Sequence, residues 1–125
     1  MIAFAAQLPR LLVERAVTAA LEEDLGLAGD LTSQATLAPD AWATATISAR
    51  EAGVIAGLDL AAAAFRLVGD GVSFTPRLND GDRIAVGGLV AEVSGPARLV
   101  MSGERVALNF LNHLSGISTL TRTYA

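Results

Sequence analysis

Apolar side chains return every three or four positions from Leu8 to Asp24, at Leu11, Leu12, Ala16, Ala19, Ala20 and Leu21. That spacing predicts a helix, which ends on the acidic run Glu22, Glu23, Asp24. The next stretch, "LGLAGDLTSQATLAPD", loses the period. Gly26 and Gly29 can take positive φ there, and Asp30, Thr32 and Ser33 can cap turns, so a loop is expected. From Ala41 the period becomes two. Trp42, Thr44, Thr46 and Ser48 alternate with Ala43, Ala45, Ile47 and Ala49, as in a strand with one face buried. "GVIAG" reads as a short apolar strand between glycines, and "LDLAAAAFRLVGD" as a helix ending near Gly69. "GVSFTPRL", "RIAVGG" and "LVAEVSG" supply further strand segments, with the turn "NDGD" before the second. From Pro96 or Ala97 the pattern is helical to the C-terminus.

The order helix, strands, helix, strands, long helix predicts an α+β sandwich. A doubly wound parallel sheet is disfavoured, because the β segments cluster and no helix separates the later ones. At 125 residues the chain suffices for one hydrophobic core and not comfortably for two. No internal repeat or low-complexity linker divides it. The final "STLTRTYA" has no capping signal, charged tail or glycine stop. The chain is therefore expected to be a truncated or proteolysed piece of a longer one.

Composition narrows the chemistry. Apolar residues make up 52%, which marks a globular chain, yet no run approaches the roughly 20 apolar residues of a membrane span. The start "MIAFAAQLPRLLVERAV" lacks a basic n-region, so it reads as part of the mature fold, and the cytoplasm is the expected compartment. A net charge of −4 argues against nucleic acid as a partner. There is no cysteine, which excludes disulfides and thiolate chemistry. All nine basic residues are arginine. Schiff-base catalysis, a P-loop lysine and lipoyl or biotinyl attachment are thereby excluded. A single histidine excludes a multi-histidine metal site within the chain.

Several motifs offer a functional and a structural reading. "DGDRIAVGGLVAEVSGPARLV" has the turn rhythm of small hammerhead or barrel-sandwich modules such as lipoyl domains. With no lysine to modify, a structural β-hairpin is the expectation. Glu22, Glu23, Asp24 and Asp30 offer oxygen ligands for a divalent cation, but their spacing fits no EF-hand, and a solvated helix end with a structural loop is favoured. Gly53, Gly57, Gly87 and Gly88 do not form a phosphate-binding fingerprint.

"GERVALNFLNHLSGISTLTR" is the most informative stretch. At about 100° per residue, Val106, Phe110, Leu114, Ile117 and Leu120 share one apolar face that Leu111 widens. Arg105, Asn109 and Asn112 fall on a neighbouring stripe, with His113 at its boundary and Glu104 pointing away from Arg105. The stripe is either a solvated polar face or an anion-binding, subunit-facing one, to which the planar fork of arginine is suited. His113 reads as a partly buried structural histidine.

Four segments together resemble the N-terminal part of quinolinate phosphoribosyltransferase, also called nicotinate-nucleotide pyrophosphorylase (carboxylating). They are "EEDLGLAGDLTS", "AREAGVIAG", "DGDRIAVGGLVAEVSGPAR" and "SGERVALNFLNHLSGISTLTR", and they run from about residue 21 to 122. The last, with "ERVALNFL" followed by "LSGI", is the most specific. The resemblance implies an α/β-hammerhead-like sandwich over residues 1–115, with 116–125 leading into an α/β barrel that is absent from this chain. It also implies a reaction of quinolinate with phosphoribosyl pyrophosphate that gives nicotinate mononucleotide, pyrophosphate and carbon dioxide in NAD biosynthesis. Mg2+ would accompany the phosphoribosyl donor, and subunits would associate as homodimers or assemblies of dimers. Arg105 matches the arginine that reaches into the neighbouring subunit's site to contact the substrate carboxylates. No catalytic or metal-ligating residue of this chain follows from the resemblance, Asn109 and Asn112 are expected to serve an interface or helix packing, and the chain alone is expected to be inactive. Two alternatives stay open. One is a paralogue that acts on nicotinate or is associated with molybdenum transport; the other is a free-standing hammerhead interaction module.

Overall fold

Strand β1 (Trp42–Ala49) is the centre of the fold, because its alternating pattern supplies one face of small apolar groups and one of hydroxyls. The computed structural model describes residues 9–26, 40–115 and 120–124. Besides β1 these form helix α1 (Arg10–Gly26), β2 (Gly53–Val54), α2 (Leu58–Leu67), β3 (Ser73–Pro76), β4 (Arg83–Ile84), β5 (Leu89–Pro96), α3 (Ala97–Leu114) and β6 (Leu120–Tyr124). The class is α+β, as expected, and nothing among the described residues closes a barrel. The predicted loop at 25–40 lies mostly outside the described residues, including Gly29, Asp30, Thr32 and Ser33.

Four strands form an antiparallel sheet in the order β3-β5-β1-β6. Ala45 pairs with Val93, Ile47 with Ala91 and Ala49 with Leu120, so the inward residues of three strands align across one buried face. The other face is lined with hydroxyls from Ser73 and Thr75, Thr44 and Thr46, and Thr121 and Thr123. A register shift between Ile47 and Ser48 lets Val90 turn into the core while Leu89 stays partly exposed. Strands β2 and β4 form a separate two-stranded ladder. The expected hairpin between β4 and β5 is therefore absent: the strands on either side of Gly87–Gly88 belong to different sheets.

Helices α2 and α3 cover the apolar face of the sheet, and α1 packs against both. Contact between α2 and α3 is close because Gly103 meets the ring of Phe65, which itself stacks on Phe74 at a centroid distance of 5.4 Å. The buried line of α3 runs through Val100, Gly103, Ala107 and Leu111, with Val106 beside it. This shifts the inward face from the predicted one. Leu114, predicted to be part of it, is 46% exposed.

Two further expectations need correction. The buried stripe of α1 is Val13, Val17 and Leu21, spaced by four, whereas Leu11 and Leu12 are exposed. Both sets fit a helical period, and packing against α2 and α3 selects Val13, Val17 and Leu21. The last helix also stops at Leu114 and does not reach the C-terminus. Ser115 takes an extended conformation (φ −77, ψ 154), and its Oγ accepts the N–H of Ala56 while donating to the carbonyl of Ala56, both at 3.1 Å. Leu120 is not on the helix but in β6, where it is buried. Ile117 lies outside the described residues.

The "NDGD" turn organises the start of α2. Gly57 precedes that helix at φ 96 with no side chain of its own to cap it. Asp80 takes that role from a distance, since its Oδ1 accepts the N–H of Leu58 at 3.1 Å. Asp82 closes the turn itself by accepting the N–H of Asn79 at 2.8 Å.

Candidate functional site

Arg105 lies near the middle of α3, two residues after the closest helix–helix contact at Gly103. The intimate packing there fixes the helix backbone and so fixes where the arginine stem begins. Its Nε donates to Oδ2 of Asp24 at 3.0 Å, across 81 positions of sequence. Asp24 is on the last turn of α1, three residues after Leu21 and on the same side of the helix. The Val13–Val17–Leu21 stripe that docks α1 therefore also delivers the carboxylate.

The pair is partly buried, with side-chain exposures of 38% for Arg105 and 28% for Asp24. That degree of exposure puts its contribution to stability at about 1 kcal/mol or less. The contact is single. Nη2 of Arg105 is buried and has no hydrogen-bond partner among the described residues. A buried donor left in this way is costly, and a carboxylate or phosphate oxygen satisfies it well.

The remaining stripe residues separate in role. Asn112 accepts the N–H of Leu120 through Oδ1 at 2.6 Å, so it ties β6 to the helix. Asn109 is exposed, and so is His113, contrary to the expectation of a partly buried histidine. Arg98 sits seven residues before Arg105 on the same side of α3, half-buried and engaged in interactions of its own. Glu104 is buried, and the partner of Arg105 is instead the remote Asp24.

Of the acidic cluster, Glu22 and Glu23 are exposed and Asp24 turns inward. No group of three or more histidine, cysteine, aspartate or glutamate side chains among the described residues could hold a metal ion. The glycines are equally unsuited to phosphate. Gly57 does open a helix, but the carboxylate of Asp80 already occupies that N-terminus and would repel an anion. The sequence offers Asp24 only as a possible cation ligand, and its pairing with Arg105 was missed. The available signal was the inward stripe of α1, which continues from Leu21 to Asp24.

Fold and site thus define an α+β sandwich with an arginine–aspartate pair between two of its helices. Comparison with known proteins places it further. The family described as quinolinate phosphoribosyl transferase, N-terminal domain, matches residues 30–115, and the chain belongs to that family. It is 40% identical over 106 residues to a quinolinate phosphoribosyltransferase [decarboxylating] 1b of Nicotiana tabacum, an overlap of 85% of this chain and 30% of that protein. It is 41% identical over 100 residues to a probable nicotinate-nucleotide pyrophosphorylase [carboxylating] of Bacillus subtilis, covering 80% of this chain and 34% of that one. Among solved structures, NadC from Streptococcus pyogenes superposes with a TM-score of 0.82 at 38% identity, over 89% of this chain and 39% of that one. The chain thus spans about a third of the length of these relatives. Some plant relatives are named as mitochondrial or chloroplastic. No helix among the described residues is long and apolar enough to cross a membrane.

Proposed function

We propose that this chain is the N-terminal portion of a phosphoribosyltransferase that joins quinolinate to phosphoribosyl pyrophosphate. The ring nitrogen would form the bond to the ribose anomeric carbon as pyrophosphate leaves. Loss of the adjacent carboxylate as carbon dioxide, with a proton taking its place, would yield nicotinate mononucleotide for NAD synthesis. The family match supports this reading, and one structural observation carries it: Arg105 is tethered at Nε while its side chain stays 38% exposed. An arginine in that state suits a dianionic substrate. It stays protonated throughout, so its task is orientation and charge, not proton transfer.

On this reading residues 1–115 form the body of the sandwich, and 116–125, whose strand β6 adds to its sheet, lead toward an α/β barrel that holds the rest of the site. Arg105 would act across the interface of a homodimer, or of an assembly of dimers, in the cytoplasm. Mg2+ bound with phosphoribosyl pyrophosphate would neutralise the leaving pyrophosphate. Its protein contacts would come from the barrel. The chain by itself would not turn over.

Expression of the full-length protein, with nicotinate mononucleotide formation followed by chromatography, tests the proposal. Quinolinate-dependent product is the expected result. Turnover with nicotinate in place of quinolinate, or no transferase activity at all, would overturn it.

A further inference from the structure

Three carboxylates crowd the C-terminal turn of α1, with no basic residue in that turn to offset them. The negative end of the helix dipole lies there too, so local electrostatics disfavour every one of them. Glu22 and Glu23 escape into solvent. Asp24 does not; it turns between the helices, where Arg105 meets it. A helix optimised only for its own stability would place a neutral or basic group at that position. The carboxylate therefore answers to α3.

The contact geometry suggests what it does there. One edge of a guanidinium, formed by Nε and an Nη, can receive a carboxylate through two parallel bonds. Asp24 takes only Nε, and Nη2 is left without a partner among the described residues. The flexible arginine is thus restrained close to its stem, while donor capacity at its tip is kept. A bidentate partner would have restrained the side chain equally well and used up that capacity.

We propose that Asp24 is a positioning residue. It holds Arg105 by Nε so that the part of the guanidinium left exposed, and not the enclosed Nη2, is presented already ordered to a substrate carboxylate. This inference rests on the reading of Arg105 as a substrate ligand. Ordering the long side chain beforehand removes an entropic penalty that binding would otherwise meet. The effect is confined to the ligand that Arg105 touches.

Steady-state kinetics of the full-length protein test this, with Asp24→Ala, Asp24→Asn, Arg105→Ala and the Asp24→Ala/Arg105→Ala pair. Asp24→Ala is expected to raise the quinolinate KM about five- to tenfold, as loss of one charge-assisted hydrogen bond implies. The phosphoribosyl pyrophosphate KM should stay within about twofold, since Arg105 is not assigned to that substrate. Asp24→Asn keeps an oxygen acceptor but not the charge, and should raise the quinolinate KM about threefold. In the Arg105→Ala background, Asp24→Ala should change the quinolinate KM no further. If Asp24→Ala fails to fold, Asp24→Asn decides by the same measure. A quinolinate KM that is unchanged or lowered on altering Asp24, while Arg105→Ala raises it, would overturn the positioning role alone. An unchanged quinolinate KM in Arg105→Ala would overturn the substrate reading and this inference with it. Equal increases in both KM values would mark Asp24 as merely structural and also overturn the inference.

Discussion

Gly103 packs so tightly on Phe65 that a Cβ at position 103 would stand 2.9 Å from Cδ1 of the ring. Phe65 cannot retreat easily, since it is 1% exposed and stacked on Phe74. Gly103→Ala should therefore lower stability by about 1–2 kcal/mol, with overpacking outweighing the gain in helix propensity. A higher denaturation midpoint for this variant would show that the ring has room to move.

Asn112 offers a second check. Its Oδ1 accepts the N–H of Leu120, the first residue of β6. Asn112→Ala should destabilise by about 1–2 kcal/mol, because it strands a partly buried donor. Amide exchange at Leu120 and its strand neighbours should speed up before exchange in α3 does. Uniform acceleration across the chain would contradict the local tether.

Asp80 caps α2 from outside the helix. Asp80→Ala is expected to cost about 1 kcal/mol, the usual loss for an N-terminal cap, and Asp80→Asn should recover most of it. Urea midpoints compare the three proteins. A neutral effect of the alanine would mean that water satisfies Leu58 equally well.

Glu14 links stability to pH. The hydrogen bond from Arg10 chiefly holds its carboxyl below the ordinary value of 4.5, with help from the charge of Arg10 and from Arg66 and against the effect of burial. A lowered folded-state pKa means that the contribution is complete above the ordinary carboxylate range and fades as pH falls through the folded value. The stability difference between the parent and Glu14→Gln should therefore be constant near neutrality and shrink in acid. The carboxylate is partly exposed, so added salt should also reduce that difference. A gap that widened on acidification would reverse the sign argued here.

Arg105→Ala in the full-length protein should lower kcat/KM for quinolinate at least about tenfold, or roughly 1.4 kcal/mol. Parallel thermal melts would separate this from unfolding. Unchanged kinetics would leave Arg105 as an ordinary surface cation.

Much of the architecture was legible because periods were clean. The strict alternation of β1 and the alanine-rich run of α2 each admit one reading. The end of α3 was not legible. Ile117 and Leu120 happen to continue the helical spacing from Leu114, while Thr119, Thr121 and Thr123 alternate as a strand would. The bonds from Ser115 to Ala56 and from Asn112 to Leu120 favour the strand, and both are tertiary. Choosing Val13 over Leu12 as the inward residue of α1 likewise depends on neighbouring helices. At the site, resemblance singled out Arg105; spacing on α1 puts Asp24 on the side of Leu21, but an ion pair across 81 positions leaves no local pattern that names its partner.

Strand β6 has a consequence for how the protein is made. It covers the free edge of β1, yet it is synthesised about 70 residues later. At about 5–20 residues per second, that edge waits on the order of several seconds for its partner on the ribosome. During that interval β1 offers unpaired backbone groups, and its threonines and alanines form a flat template for a neighbouring nascent chain. Translation speed between Ala49 and Leu120 therefore sets how long the growing chain is open to misassembly.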